Sequence, residues 1–177
     1  MPKKKYPPFS LDLFRIGYFI LYKGGNDLFS KLIVKKQITA GFSPEDAQFT
    51  HVEVSGGGKH SVNISPPISK LVDITKRHKN RYICIVRYKN KDYERKGRYK
   101  VAYFSATLCN KGYDFMGILS FLFKWIKHSN RLYFCSEGCA WALEMEYPGA
   151  LAWSSSKVMP AHFMGEEFEL VWEGVIC

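Results

Sequence analysis

Phe49-Thr50-His51-Val52-Glu53-Val54-Ser55-Gly56-Gly57-Gly58-Lys59-His60-Ser61-Val62-Asn63-Ile64-Ser65 decides how this chain folds. Phe49–Val54 and Ser61–Ser65 alternate β-branched with polar residues, and consecutive glycines stand between them. Period-two alternation broken by glycine marks an antiparallel hairpin. Alternation puts His51, Glu53 and Ser55 on one face of the first strand and Val52 and Val54 on the other. In Val62-Asn63-Ile64 only the central side chain is polar, and pairing about Gly57 sets Asn63 opposite His51. A polar neighbour fixes which ring nitrogen of an imidazole carries the proton. The pair therefore reads either as part of a catalytic site or as a structural histidine with its hydrogen bond.

Upstream, Met1–Ser10 carries Pro2, Pro7 and Pro8 and reads as extended, so residues 1–13 are taken as an arm on a single domain spanning 14–177. Phe14–Tyr22 predicts a strand ending at Gly24-Gly25. Asn26 and Asp27 can cap a helix over Leu28–Lys36 with Leu28, Leu32 and Ile33 on one face. Downstream, Leu71–Ile74 is extended, and Tyr82–Tyr88, apolar at nearly every position, predicts a central strand. Tyr99–Asn110 has Val101, Phe104 and Leu108 at helical spacing. Asp114 caps an apolar helix over Phe115–Lys127, and a further helix runs from Ser136 to about Glu146 before Pro148-Gly149. Phe168–Val175 reads as the last strand. Helices and strands mix without regular alternation, which makes the class α+β.

Cys135 follows the short run Leu132-Tyr133-Phe134 and stands at the entrance of that last helix. A thiol there faces unsatisfied backbone N–H groups and the positive end of the helix dipole, and both favour the thiolate. The same N–H groups can stabilise the oxyanion formed when sulfur attacks a carbonyl. The plainer alternative is a buried structural cysteine. A nucleophile also needs a base. Of the histidines, His60 at the glycine turn and His78 in a basic cluster read as solvated, and His128 ends a helix where a cation suits the dipole. His51, on a strand beside a polar partner, is the candidate base. Cys139 reads as a small core residue. No second Cys-x-x-Cys or His-x-x-x-His accompanies it, so neither a metal nor another cofactor is expected.

The chain has 177 residues, 26 Lys+Arg against 16 Asp+Glu, and a formal net charge of +10. At 46% hydrophobic and 16% aromatic it can build a packed core, which excludes wholesale disorder. Five cysteines form no disulfide framework, and a reducing compartment is the simplest setting. The longest apolar stretch, Phe115–Ile126, is interrupted by Ser120 and Lys124 and falls short of the about 20 residues of a spanning helix. Its Phe121 and Trp125 read either as lipid-facing or as interior. Tyr6–Asp12 supplies prolines and an acid where a secretory signal needs an apolar core, so a cytoplasmic or phage- or virus-associated location is expected. The positive charge concentrates in Lys76–Lys100. Such a run attracts anionic lipid, a wall polymer or nucleic acid, or simply keeps a loop and strand edge soluble. No zinc-finger spacing, aromatic RNA-binding strand or phosphate loop accompanies it, so nucleic acid is not the expected partner.

Four segments occur in a telling order: Phe49-Thr50-His51-Val52-Glu53-Val54, Val62-Asn63-Ile64-Ser65-Pro66-Pro67, Tyr113-Asp114-Phe115-Met116-Gly117-Ile118 and Phe134-Cys135-Ser136-Glu137. Together they resemble the circularly permuted branch of the NlpC/P60 papain-like superfamily, the group of YiiX/YebB-like and poxviral G6-like proteins. In papain-like enzymes of ordinary order the cysteine helix precedes the histidine strand; in the permuted branch the strand comes first. Here His51 stands 84 residues before Cys135. The resemblance spans Phe14 to about Pro160.

The resemblance implies a permuted papain-like α+β fold, an antiparallel sheet packed against the nucleophile-bearing helix. Carried over by position, it implies Cys135 as nucleophile, His51 as base and Asn63 as the third polar residue. Many relatives have Glu at that third position; Asn orients the ring without supplying a full charge. Glu53 stands where relatives often carry a small residue, and it either lines the cleft or points to solvent. Tyr133 and Ser136, flanking the nucleophile, join Glu53 as candidates for the substrate cleft. Glu137, in the first turn of the helix, suits the dipole and reads as structural. The implied activity is that of a thiol hydrolase or acyltransferase on an amide or ester of a peptide, peptidoglycan peptide, lipid or acyl amide. The competing expectation is a non-catalytic binding or structural protein on the same fold, meeting an anionic surface or nucleic acid through Lys76–Lys100.

Overall fold

Residues 8–114, 116 and 132–176 are described by the computed structural model. Six strands form one sheet: β1 (Phe19–Lys23), β2 (Phe49–Gly57), β3 (His60–Asn63), β4 (Lys70–Asp73), β5 (Tyr82–Tyr88) and β6 (Phe168–Val175). Their order is β4-β3-β2-β1-β5-β6, and every neighbouring pair is antiparallel. The helices are α1 (Leu28–Thr39), α2 (Ile74–Arg77), α3 (Arg98–Ala106) and α4 (Cys135–Glu146), joined by short turns of tighter or wider helix. The class is α+β, as the mixed pattern of the sequence predicts.

Most predicted elements are present. β5 coincides with the expected strand and lies one place in from the sheet edge, where Ile83, Cys84, Ile85 and Val86 are buried. The expected strand at Phe14–Tyr22 begins later, at Phe19, because Gly17 turns the chain with φ +82° and sends its N–H to the Ser55 carbonyl. Phe14 is buried all the same. Asp27 caps α1, accepting the Ser30 N–H at 2.9 Å. The predicted apolar face of that helix is not its buried side: Leu28 is 70% exposed, and the one buried side chain is Gln37. Gln37 Nε2 donates to the carbonyls of Ala47 and Phe49, and its Oε1 accepts the Ala161 N–H. A buried amide thus fastens α1 by hydrogen bonds where periodicity suggested apolar packing.

Apart from Met116, the predicted helix over Phe115–Lys127, with Phe121, Trp125 and His128, lies outside the described residues, as do residues 1–7 of the expected arm. From Pro8 onward that segment lies on the domain: Phe9 packs edge-on against Phe14 and Trp172 at 5.5 and 5.7 Å. Among the described residues no helix is long and apolar enough to cross a membrane.

Two features of β2 position the site. First, β1 pairs Tyr22 with His51 and Lys23 with Phe49, so Thr50 is the extra residue of a bulge directly before His51. Second, Ser55 N–H bonds the Tyr18 carbonyl of the β1 side, so Val52 and Val54 turn their backbone groups toward β3. Regular pairing with β3 stops at Val54 and Val62. Val52 offers its N–H and C=O to α4 instead. Cys139 Sγ donates to the Val52 carbonyl at 3.6 Å, and Gly138 lets α4 close on Ile64, whose Cδ1 would stand 2.3 Å from a Cβ at that position.

Candidate active site

Cys135 opens α4, which enters from the extended Phe134 with its first turn held by Glu137: the Glu137 carboxylate accepts the Phe134 N–H at 3.4 Å. The Cys135 thiol lies against β2 and is 3% exposed. Burial pushes it up to about 11, while the backbone N–H groups of Val52, Ser136 and Cys135 pull the other way. The sulfur thus sits where the first turn of α4 meets the Val52 backbone, a setting that favours a thiolate or an oxyanion. At rest, desolvation wins and the thiol keeps its proton.

The His51 ring is stacked at 4.7 Å on Tyr22, its partner across β1, and lines a cleft of about 330 Å³ with Tyr22, Thr50, Pro66 and Tyr113. Burial pushes its imidazole down to about 4, against the pull of Glu53. Its Nε2 lies 2.9 Å from the amide of Asn63. The two residues are not directly opposed, as pairing about Gly57 predicted. The true register pairs Val54 with Val62 and Ser55 with Ser61, which sets Asn63 level with Glu53 and diagonal to His51. An offset of two residues keeps every side chain on its face, so the contact survives the correction.

Among the described residues no hydrogen bond joins Cys135 to His51. The thiol reaches the backbone of Val52, the next residue along β2. Cys135 is not among the residues lining the cleft, but both cleft tyrosines, Tyr22 and Tyr113, lie within electrostatic range of its sulfur.

Glu53 neither lines the cleft nor points to solvent. It is wholly buried, and its carboxylate gathers donors beside His51, with Oε1 3.6 Å from His51 Nε2. Its Oε1 accepts from Arg77 Nε at 3.1 Å, and its Oε2 accepts a short hydrogen bond from Ser61 Oγ. His78 Nε2 stands 3.4 Å from Oε1. Although burial alone raises a carboxyl, the surrounding donors hold Glu53 below the usual carboxylate range. Arg77 continues to the Tyr22 hydroxyl at 3.3 Å. His78, read from sequence as solvated, has no exposed surface and packs its ring at 4.4 Å on Tyr22. Sequence reasoning missed Arg77, His78, Ser61 and Tyr22. The available signal was Glu53 itself, since a carboxylate on a hairpin face with His51 and Asn63 needs a cation once that face is buried.

Ser136, expected at the substrate cleft, is buried and donates to the Val158 carbonyl at 2.7 Å, fastening α4 to the segment beneath it. Tyr133 is half-buried, its ring 5.6 Å from Trp141. Cys139 is wholly buried, and His60 is exposed at the hairpin turn. No group of three or more His, Cys, Asp or Glu among the described residues is placed to hold a metal ion.

No family model matches the sequence, and no curated protein matches it.

Four cations of the basic stretch Lys76–Lys100 bond other parts of the domain, while Lys76, Lys79, Arg81, Lys91, Arg95 and Lys96 are exposed. Arg77 serves Glu53, Arg87 bonds Glu94 at 3.0 Å and Glu169 at 2.7 Å, and Lys100 meets Glu146 at 2.9 Å. Lys89 donates to the Glu166 carbonyl at 2.8 Å. These four tie elements of the domain together; the six exposed ones keep their charge at the surface.

Proposed function

We propose that the chain is a cysteine-dependent hydrolase or acyltransferase of the permuted papain-like kind, acting on an amide or ester. The observation that carries this reading is the place of Cys135 at the first turn of α4, a helix docked on the Val52 carbonyl of the same strand whose His51 lies 2.9 Å from the Asn63 amide. In the reaction, His51 accepts the thiol proton at Nδ1 as Cys135 Sγ bonds the substrate carbonyl carbon. The N–H groups at the start of α4 stabilise the resulting oxyanion. The tetrahedral intermediate collapses with loss of an amine or alcohol, which takes the proton back from His51 and leaves a thioester on Cys135. Water then releases the acid, or a second nucleophile accepts the acyl group.

The neutral resting thiol and the weakly basic imidazole fit a mechanism in which proton transfer accompanies attack, rather than a stored thiolate–imidazolium pair. Substrate binding in the cleft beside His51 removes water and brings the carbonyl to the sulfur. The test is an acylation assay over peptides, phospholipids and acyl amides with Cys135→Ala and His51→Ala controls. Turnover that survives Cys135→Ala overturns the proposal.

A second reading, a binding or structural module on the same fold, is favoured by the burial of Cys135 and its raised thiol. It predicts that no acyl donor modifies Cys135 under any condition in which the fold is intact.

A further inference from the structure

The Asn63 amide stands between a carboxylate and a guanidinium, and those charges orient it. With its nitrogen toward β2, it donates to Glu53 Oε1 at 3.3 Å and to His51 Nε2 at 2.9 Å. Its oxygen then accepts from Arg77 NH2 at 3.0 Å and from Ser65 Oγ at 2.7 Å. Turned the other way, the oxygen faces the Glu53 carboxylate and the nitrogen faces the Arg77 guanidinium, which sets acceptor against acceptor and donor against donor. The Glu53–Arg77 ion pair, closed by the 3.1 Å bond from Arg77 Nε, is thus an electrostatic template for the amide dipole.

The consequence passes to the histidine. An N–H arriving at Nε2 requires a lone pair there, so the neutral ring carries its proton on Nδ1. Nδ1 makes no hydrogen bond to the protein among the described residues, and the ring lines the cleft. In this state His51 offers the cleft a donor. To accept the proton of Cys135 at Nδ1, the ring must first move its own proton to Nε2, and that requires the Asn63 amide to turn over.

We propose that Arg77 and Glu53 are positioning residues that hold the Asn63 amide, and through it the His51 tautomer, in the form that keeps Cys135 at rest. The inference rests on the reading of His51 as the base for Cys135. Neither Arg77 nor Glu53 touches the sulfur or the substrate carbonyl: Arg77 acts through Glu53 and Asn63, while the Asn63 amide and the Glu53 carboxylate, whose Oε1 stands 3.6 Å from Nε2, act on the ring. A substrate or partner that draws Arg77 away from Asn63 releases the amide and with it the base. Arg77 is within reach of such a ligand, its side chain being 31% exposed while Glu53 has no exposed surface.

The experiment is nitrogen NMR of isotope-labelled histidine at neutral pH, with the His51 signals identified by their loss in His51→Gln. Wild-type protein is expected to show the Nδ1–H tautomer at His51. The charge-balanced double variant Glu53→Gln/Arg77→Met is expected to move it toward Nε2–H, and Arg77→Lys, which keeps a cation beside the Asn63 oxygen, to retain Nδ1–H. Iodoacetamide alkylation of Cys135 in the double variant is expected to accelerate by about tenfold or more, the lower range of what a positioned base contributes. Nε2–H at His51 in the wild-type protein overturns the assignment. An unmoved tautomer in a folded double variant overturns it as well. A tautomer that moves while alkylation does not change leaves Arg77 and Glu53 as positioning residues and overturns the reading that His51 serves Cys135.

Discussion

Cys139 Sγ lies 3.6 Å from the carbonyl oxygen of Val52, and that contact fixes where α4 begins. The helix docks on the backbone groups that β2 leaves open where β3 departs, so the sulfur one turn earlier, Cys135, comes to the Val52 N–H. Close approach depends on Gly138, which has no room for a Cβ beside Ile64 Cδ1 and Leu108 Cδ1, at 2.3 and 3.0 Å. Gly138→Ala is expected to destabilise by about 1–3 kcal/mol, outweighing the ~1 kcal/mol that alanine gains over glycine in a helix. Ile64→Val removes the obstructing Cδ1 and should recover part of the loss, as read from urea midpoints. A more stable Gly138→Ala protein would mean that the helix seat is loose.

Glu53 and Arg77 carry the next prediction. Glu53 is wholly buried and bonds Arg77 and Ser61, so Glu53→Ala leaves donors without an acceptor. The expected cost is about 3–5 kcal/mol, with the double variant Glu53→Gln/Arg77→Met recovering much of it. Denaturant unfolding measures both. A loss below about 1 kcal/mol would place the pair with ordinary surface salt bridges.

Acid stability follows from His51. The unfolded chain takes up its proton near 6.5, while the folded ring, desolvated, takes it up only near 4. Between those values the unfolded state binds more protons, so stability falls as the pH drops through that window and the loss is complete below it. The total is ~3 kcal/mol, and His51→Gln should remove that part of the slope. His162, whose imidazole is also lowered by burial, contributes in the same direction and remains in the variant. An unchanged slope in His51→Gln would show that the ring is hydrated.

Cys135 sets the alkaline counterpart. Its thiol ordinarily ionises near 9 and is pushed up to about 11 in the fold. The unfolded chain therefore loses this proton first, and stability falls as the pH rises across that interval. In the absence of substrate, iodoacetamide labelling of Cys135 should keep rising with pH toward about 11. A plateau already reached at neutral pH would indicate a resting thiolate.

Much of this arrangement was legible in the sequence because it depends on period and spacing. Alternation around the glycine turn put His51, Glu53 and Asn63 on one face, and a slip of two residues in the pairing left that face intact. The position of Cys135 at a helix start followed from Phe134 and the polar residues after it. The rest was set by tertiary contacts that no local pattern encodes. Arg77 and His78 looked like members of a charged run, yet α2, capped by Asp73, turns them onto Glu53. Ser136 looked like a cleft residue by adjacency, but a helical step of one position turns it about 100° away from Cys135, toward the Val158 carbonyl.

The central claim is that Cys135 forms a covalent acyl intermediate with the help of His51. Its most direct measurement is mass spectrometry of the intact protein after incubation with an acyl-donor panel, followed by peptide mapping of any adduct. The proposed function predicts one acyl group on Cys135, absent in Cys135→Ala and formed much more slowly in His51→Ala. An adduct that persists in Cys135→Ala, or labelling spread equally over Cys84, Cys109 and Cys139, would contradict it.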